Sequence, residues 1–361
     1  MVETLADGRV SLWTGDSREV LKGLADASVD SVVTDPPYGL GFMGKEWDTH
    51  ETAFDVAFWS DVLRVLKPGG HVAAFGGTRS YHRLAVAIED AGFEIRDQLA
   101  WVYGSGFPKS HNQGGGWGTA LKPAWEPIVL ARKPLIGTVA ANVLAHGTGA
   151  LNIDATRVGT DEKMGHGGRQ FTEMGYHGGA AADGQFQTTQ NALGRWPANL
   201  VHDGSAEVVE CFPEAGGGYG TRGNNGSQTS YSLGGTGEVV GYGDSGSAAR
   251  FFYTAKADAD DRLGSKHPTV KPLDLMQWLV RLATPIGGVV LDPFAGTGTT
   301  GEAAWREGMK AILIEREEAY CTDIRRRMKH ILSGPDERMV TRVKERGGMV
   351  DPGPLFAWAK P

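Results

Sequence analysis

Two stretches of this chain combine acids, glycines and rings at spacings that chemistry can use. The first is Asp35-Pro36-Pro37-Tyr38, which follows the buried-looking run Asp30-Ser-Val-Val-Thr34. Two consecutive prolines lock the backbone and delete two N–H donors, so the local carbonyls face outward with no competing donor. A carboxylate beside a fixed carbonyl can accept both hydrogens of an exocyclic amino group. The adjacent phenol ring can stack on the base that carries it. In that role Asp35 need not be a strong base; it orients the amine lone pair toward an electrophilic methyl group. The second stretch is Val290-Leu-Asp292-Pro293-Phe294-Ala-Gly296-Thr-Gly298-Thr299-Thr300. Gly296 and Gly298 let the backbone turn tightly and approach a ligand closely. No Gly-Lys-Ser/Thr ending is present, which argues against a phosphate-cradling loop. Glu315 ends the next predicted strand 23 residues after Asp292, a place where an acid accepts hydrogen bonds from ribose hydroxyls. With Gly301 the glycines also satisfy the bare nicotinamide-dinucleotide pattern, so spacing alone leaves that cofactor open.

Positioning these residues takes alternating strands and helices. The spacing predicts strands over 10–13, 30–34, 71–75 and 94–102, with helices over 17–24, 54–66 and 79–91. A second structured zone carries a helix over 272–284, a strand over 288–292, a helix over 298–307, a strand over 310–315 and a helix over 319–332. Strands separated by helices argue for an α/β fold with a mostly parallel sheet covered on both faces. In such sheets ligands bind at the carboxyl ends of the strands, where both stretches fall. The zone between, about 136–264, has poor periodicity and holds 22 glycines from Gly159 to Gly246. Its composition reads as a loop-dominated insertion that orders on a polyanionic ligand, or as a solvated linker. The segment 333–361 reads as a weakly structured tail.

The remaining composition sets bounds. The net charge of −7 excludes a uniformly basic nucleic-acid coat, but not a local basic patch. Two cysteines, Cys211 and Cys321, cannot build a disulfide scaffold or a Cys-rich zinc site, and no metal is expected. They fit a reducing cytoplasm. The first residues lack a signal-peptide pattern, and no long apolar run predicts a membrane span.

Together, Asp35-Pro-Pro-Tyr38 and Asp292-Pro-Phe-Ala-Gly-Thr-Gly298 resemble the S-adenosylmethionine-dependent DNA amino-methyltransferases, which methylate adenine N6 or cytosine N4. The catalytic motif comes first and the cofactor loop last, an order similar to the family's circularly permuted β group. Lys266-His-Pro-Thr269-Val-Lys271-Pro272 is similar to the family's His-Pro-Thr-Gln-Lys-Pro, with Val270 for Gln. Gly15-Asp16 matches a further position, and Tyr103-Gly-Ser-Gly-Phe-Pro-Lys109 is similar to phage and prophage DNA methylases. The resemblance implies a Rossmann-like, seven-stranded, mostly parallel sheet. It implies a catalytic half over 1–135, a variable target-recognition region over 136–264 and a cofactor-binding half over 265–332. Asp35, Pro36 and Tyr38 would hold a flipped base, with Pro37 shaping the turn. Asp292, Pro293, Phe294, Gly296, Gly298 and Thr299 would surround the methionine and ribose parts of S-adenosylmethionine. Glu315 would bind the ribose, Asp16 the adenine, and Thr269 and Lys271 the cofactor carboxylate. Trp101, Tyr103 and Lys109 would line the substrate pocket.

The implied activity is methyl transfer to adenine N6 of double-stranded DNA, because Asp at the first tetrapeptide position is commoner in the family's adenine enzymes; cytosine N4 is the alternative. A cognate restriction nuclease and a homodimer are possible partners. Methylation of cytosine C5 needs a thiolate nucleophile, and neither cysteine has a suitable setting. RNA or protein-amide methylases of similar pattern usually carry Asn in place of Asp35. A nicotinamide dehydrogenase lacks a His, Tyr or Lys constellation here. Candidate phosphate contacts are Lys109, Lys122, Arg132, Lys133, Arg169, Arg195, Arg222, Arg250 and the run Arg325-Arg-Arg-Met-Lys-His330. Tyr219, Arg222, Asn224, Asn225, Gln228 and Tyr231 could read bases.

Overall fold

The computed structural model describes residues 1–39, 51–106, 110–160, 194–215, 246–255 and 259–333. Apolar runs of four to ten residues set its strands. Strands β1 (Val2–Leu5) and β2 (Val10–Thr14) pair as a hairpin. Then come α1 (Ser17–Gly23), β3 (Val29–Thr34), α2 (Val56–Val65), β4 (Leu66–Phe75), α3 (Tyr81–Asp90) and β5 (Glu94–Val102). A small ribbon, β6 (Asn112–Gly114) with β7 (Trp117–Gly118), precedes β8 (Trp125–Arg132). Helix α4 (Val139–His146), β9 (Leu200–His202), α5 (Ala206–Val209) and β10 (Tyr253–Thr254) follow. The last described elements are α6 (Leu273–Ala283), β11 (Val289–Asp292), α7 (Thr299–Arg306), β12 (Lys310–Glu315) and α8 (Glu318–Leu332).

The main sheet has the order β1-β2-β12-β11-β3-β4-β8-β5-β9-β10. Its inner seven strands, β2 to β5 in that order, form the Rossmann-like sheet: six run the same way and β8 runs against them. Three short strands widen it to ten among the described residues, β1 at one edge and β9 and β10 at the other. The additions at the second edge come from the zone read as loop-dominated. A three-residue strand such as Leu200–His202 is too short to show a period. The permuted chain still closes one sheet because β3 and β11 pair directly.

Alternate residues of each strand face opposite layers. On one face Val33, Phe75, Val290 and Leu313 pack with Leu275 and Trp278 of α6, Ala303 of α7 and Ile324 of α8. On the other, Val32, Ala74, Leu291 and Ile314 pack with Leu21 of α1, Trp59 and Val62 of α2 and Ile88 of α3. Strand β3 is buried along its length, Asp30 included. That acid is tied to Lys67 Nζ at 2.6 Å and accepts from the Val289 N–H at 2.8 Å, which fixes the start of β11. Helix α2 begins later than the predicted residue 54 because Asp55 caps it, accepting from the Ala57 N–H at 2.9 Å, and residues Glu51–Phe54 form a separate 3-10 turn.

Candidate active site

Six parallel strands with one antiparallel partner bring six carboxyl ends and one amino end to a single sheet edge. The corner after β3 carries Asp35. Its Oδ2 lies 2.6 Å from Lys271 Nζ and its Oδ1 accepts from the Tyr38 hydroxyl at 2.9 Å. Glu126, the second residue of β8, completes the cluster: its Oε2 stands 3.2 Å from Lys271 Nζ and 3.1 Å from the Tyr38 hydroxyl. Lys271 is buried. Burial works against its charge, but the Asp35 and Glu126 carboxylates outweigh that and hold its pKa above the ordinary lysine value. Burial, then the same two carboxylates, pushes the Tyr38 phenol well above its usual range. The Tyr38 ring packs close to Gly77, where an added Cβ would sit 3.1 Å from it. The Lys271 ammonium also lies over the Phe75 ring at 4.8 Å. Thus Lys271, expected beside the cofactor carboxylate, sits on the carboxylates of the Asp35 corner. Glu126 is not among the residues the motifs single out; its signal in the sequence is a lone acid just ahead of the apolar run Ile128–Ala131.

The glycine turn lies next door. Thr34, the last residue of β3, donates to Asp292 Oδ1 at 2.7 Å, and Thr300 donates to Asp292 Oδ2 at 2.5 Å. Burial pushes Asp292 up to about 6 in spite of these donors. Gly296 and Gly298 both have positive φ, 51° and 78°. An added Cβ on Gly298 would meet Ile324 at 3.0 Å, so its role is to let the turn seat on α8. Gly301 performs a similar service for α7: its Cβ would strike Leu313 at 2.6 Å. Glu315 accepts from the Gly296 N–H and the Glu317 N–H, each at 2.8 Å. Burial nonetheless raises it to about 7. Asp16 caps α1 and is clasped by Arg18 at 2.7 Å, a contact that holds its pKa below the usual carboxylate value.

Both constellations open on one cleft of about 400 Å³. Its walls include Asp16, Asp35, Pro36, Pro37, Tyr38, Trp101, Tyr103, Thr269, Lys271, Asp292, Pro293, Phe294, Gly296, Thr299 and Glu315. Gly298 stands behind the wall. Lys109 lies outside the described residues, as do Arg169, Arg222 and the base-reading candidates Tyr219, Asn224, Asn225, Gln228 and Tyr231. Trp101 and Tyr103 stack at 4.8 Å with a 45° tilt, and burial followed by the Glu126 charge raises the Tyr103 phenol. His267, part of the Lys266–Pro272 motif but given no role there, lines the cleft beside Tyr320, with ring centroids 4.5 Å apart. Burial and then the Lys271 charge lower it to about 4, so it is neutral near pH 7.

Several expected phosphate contacts are engaged internally. Arg132 is buried against Glu94 at 2.6 Å, and Lys133 donates to the Leu63 and Leu66 carbonyls. Arg250 donates to the Gly246, Ser247 and Ala215 carbonyls. Arg325 pairs with Glu3 and Glu318, and Arg326 with Asp323. Arg327 is buried against Glu302 at 2.7 Å and donates to the Thr297 carbonyl of the glycine turn at 2.9 Å. Among the described residues no group of three or more His, Cys, Asp or Glu could hold a metal ion, and no helix is long and apolar enough to cross a membrane.

The chain thus combines a Rossmann-like sheet with an acidic diproline corner and a glycine turn on one cleft. The family model for N6/N4-type DNA methylases, described as DNA methylase, matches residues 29–326. The chain belongs to that family. It is 23% identical over 352 residues to the Type II methyltransferase M.HindIII of Haemophilus influenzae, covering 81% of this chain and 86% of the relative. It is 39% identical over 69 residues to the Type II methyltransferase M2.DpnII of Streptococcus pneumoniae, covering 19% of this chain and 26% of the relative. Among solved structures, the PvuII DNA methyltransferase, described as cytosine-N4-specific, superposes with a TM-score of 0.51 at 16% identity, over 96% of this chain and 97% of that one. This likeness shows a shared fold.

Proposed function

We propose that this DNA methylase transfers a methyl group from S-adenosylmethionine to adenine N6 of a base flipped out of duplex DNA, acting where the DNA is, in the cytoplasm. One observation carries the reading: the Asp35 corner and the glycine turn, 257 residues apart in sequence, share a cleft and are joined by the Thr34–Asp292 hydrogen bond.

The cleft fits the cofactor. Gly296 lines the cleft without a side chain, and a Cβ there would already touch His267 Nε2 at 3.5 Å, so the turn presents bare backbone to a ligand. The acids Glu315 and Asp16 close two neighbouring strands and accept hydrogens, as ribose hydroxyls and an adenine amine require. Glu315 is the residue for the ribose, Asp16 for the adenine, and Phe294 for an apolar contact. When bound, S-adenosylmethionine supplies an electrophilic methyl on a sulfonium. Asp35 and the Pro36 carbonyl accept the two amino hydrogens, which turns the nitrogen lone pair toward that methyl. Tyr38 offers its ring face to the extruded base and recovers part of the few kcal/mol lost on unstacking. Trp101 and Tyr103 form an aromatic wall. The region 136–264 is assigned to target recognition, and its described part joins the sheet through β9 and β10. The likeness to Type II methyltransferases supports a cognate restriction nuclease as partner.

The choice of adenine rests on Asp35, the residue type commoner in the family's adenine enzymes. Incubation with labelled S-adenosylmethionine and unmethylated duplex DNA, followed by digestion to nucleosides, tests it. N6-methyladenine supports the reading, N4-methylcytosine replaces the target base, and transfer to RNA or protein but not DNA overturns it.

A further inference from the structure

Glu126 lines the cleft and has no role assigned above. It comes from β8, the antiparallel strand, which pairs with β4 as β3 does, and it contacts both Lys271 and Tyr38. Lys271 therefore serves two carboxylates, at 2.6 Å and 3.2 Å, and the Tyr38 hydroxyl has one proton for two acceptors, at 2.9 Å and 3.1 Å. With one ammonium and two carboxylates, the ionised cluster carries a surplus negative charge. Its carboxylate side chains are each 20% exposed and Lys271 is 8% exposed, so water screens the group only in part.

We propose that Glu126 is a positioning residue for methyl transfer, acting through Lys271 and Tyr38. The inference rests on the amino-methyltransferase reading above. In the structure Asp35 Oδ2 is occupied by Lys271. An amino group entering the corner needs that oxygen as its acceptor. Glu126 offers the ammonium a second anchor, so Lys271 can shift toward Glu126 and stay paired while Asp35 turns to the amine. It also holds the Tyr38 hydroxyl, and so the ring, in place during the exchange. As the amino nitrogen bonds to the methyl carbon, the carbon–sulfur pair leaves with sulfur and the nitrogen becomes cationic until it sheds one proton to water. The surplus charge of the cluster faces that developing cation, an interaction strongest at the transition state.

Two variants and their combination test this in the full chain. Glu126→Gln keeps the shape but removes the charge, leaving Lys271 locked on Asp35. The expected result is a single-turnover methylation rate on duplex DNA lower by about 10- to 100-fold, with the S-adenosylmethionine dissociation constant within about twofold of the parent. In a Lys271→Met background the same Glu126→Gln change should cost clearly less, because the ammonium has no second anchor to lose and only the Tyr38 contact and the cluster charge remain. A parental rate in Glu126→Gln overturns the proposal. So does an equal loss in both backgrounds, or a parallel loss of cofactor binding and thermal stability. A parent that methylates no DNA amino group would instead sink the reading beneath it, so the two failures are separable.

Discussion

Truncating Asp35 to alanine removes the proposed acceptor for the amino hydrogens but leaves the glycine turn untouched. Asp35→Ala is expected to abolish turnover while equilibrium binding of S-adenosylmethionine stays near the parental value; loss of binding would count against the assigned roles. Glu315 makes a second prediction at this scale. Burial holds its carboxyl near 7, and only the ionised form accepts freely from two hydroxyls. Ionisation on raising the pH should therefore tighten cofactor binding severalfold between about pH 6 and about pH 8, with a proton released on binding. Titration calorimetry should show this trend in the parent and a flat profile in Glu315→Gln. The acids at positions 16, 35, 292 and 315 were legible because each follows or ends an apolar run. Glu126 was not, since its role appears only when β8 is laid antiparallel beside β4 and β5, 88 residues from Tyr38 in sequence. Nor could the run at 325–327 be read from its charge: the partners Glu3, Glu318, Asp323 and Glu302 lie on other turns or other elements.

The glycine turn depends on the helices behind it. Arg327 of α8 clamps Glu302 of α7 and the Thr297 carbonyl at once. Arg327→Met would leave Glu302 buried with Arg306 as its remaining cation, and should lower unfolding stability by about 3 kcal/mol in chemical denaturation, with weaker cofactor binding. Gly298→Ala forces a side chain into left-handed backbone, at a cost of about 1–2 kcal/mol before the Ile324 contact at 3.0 Å is added. Long elements with clear period were visible in the sequence, as with the strands 94–102 and 310–315, which the structure reproduces to the residue. Elements whose existence depends on neighbours were not. Helix α4 and strands β9 and β10 sit in a glycine-rich zone and gain their order from the sheet edge and the β4 flank, through contacts such as Asn142 Nδ2 to the Pro68 carbonyl at 2.9 Å.

Across the whole molecule, net charge and local charge tell different stories. The protein is acidic overall, and the described cations at 132, 133 and 325–327 are spent on its own carbonyls and carboxylates. Arg325→Gln should consequently leave the salt dependence of DNA methylation unchanged, measured as the slope of log KM against log salt, whereas removal of one phosphate contact lowers that slope by about 1. The permuted order of the two motifs was readable from sequence, but their meeting was not, because it is made by β3 pairing with β11. That pairing has a mechanical consequence. On the proposed function, methyl donor and acceptor would ride on adjacent rails of one framework, cross-tied by a threonine hydroxyl, so twisting or breathing of the sheet would carry both together. Thr34→Val, which touches neither proposed reactant, would remove that side-chain tie between the two corners while leaving the β3–β11 ladder in place.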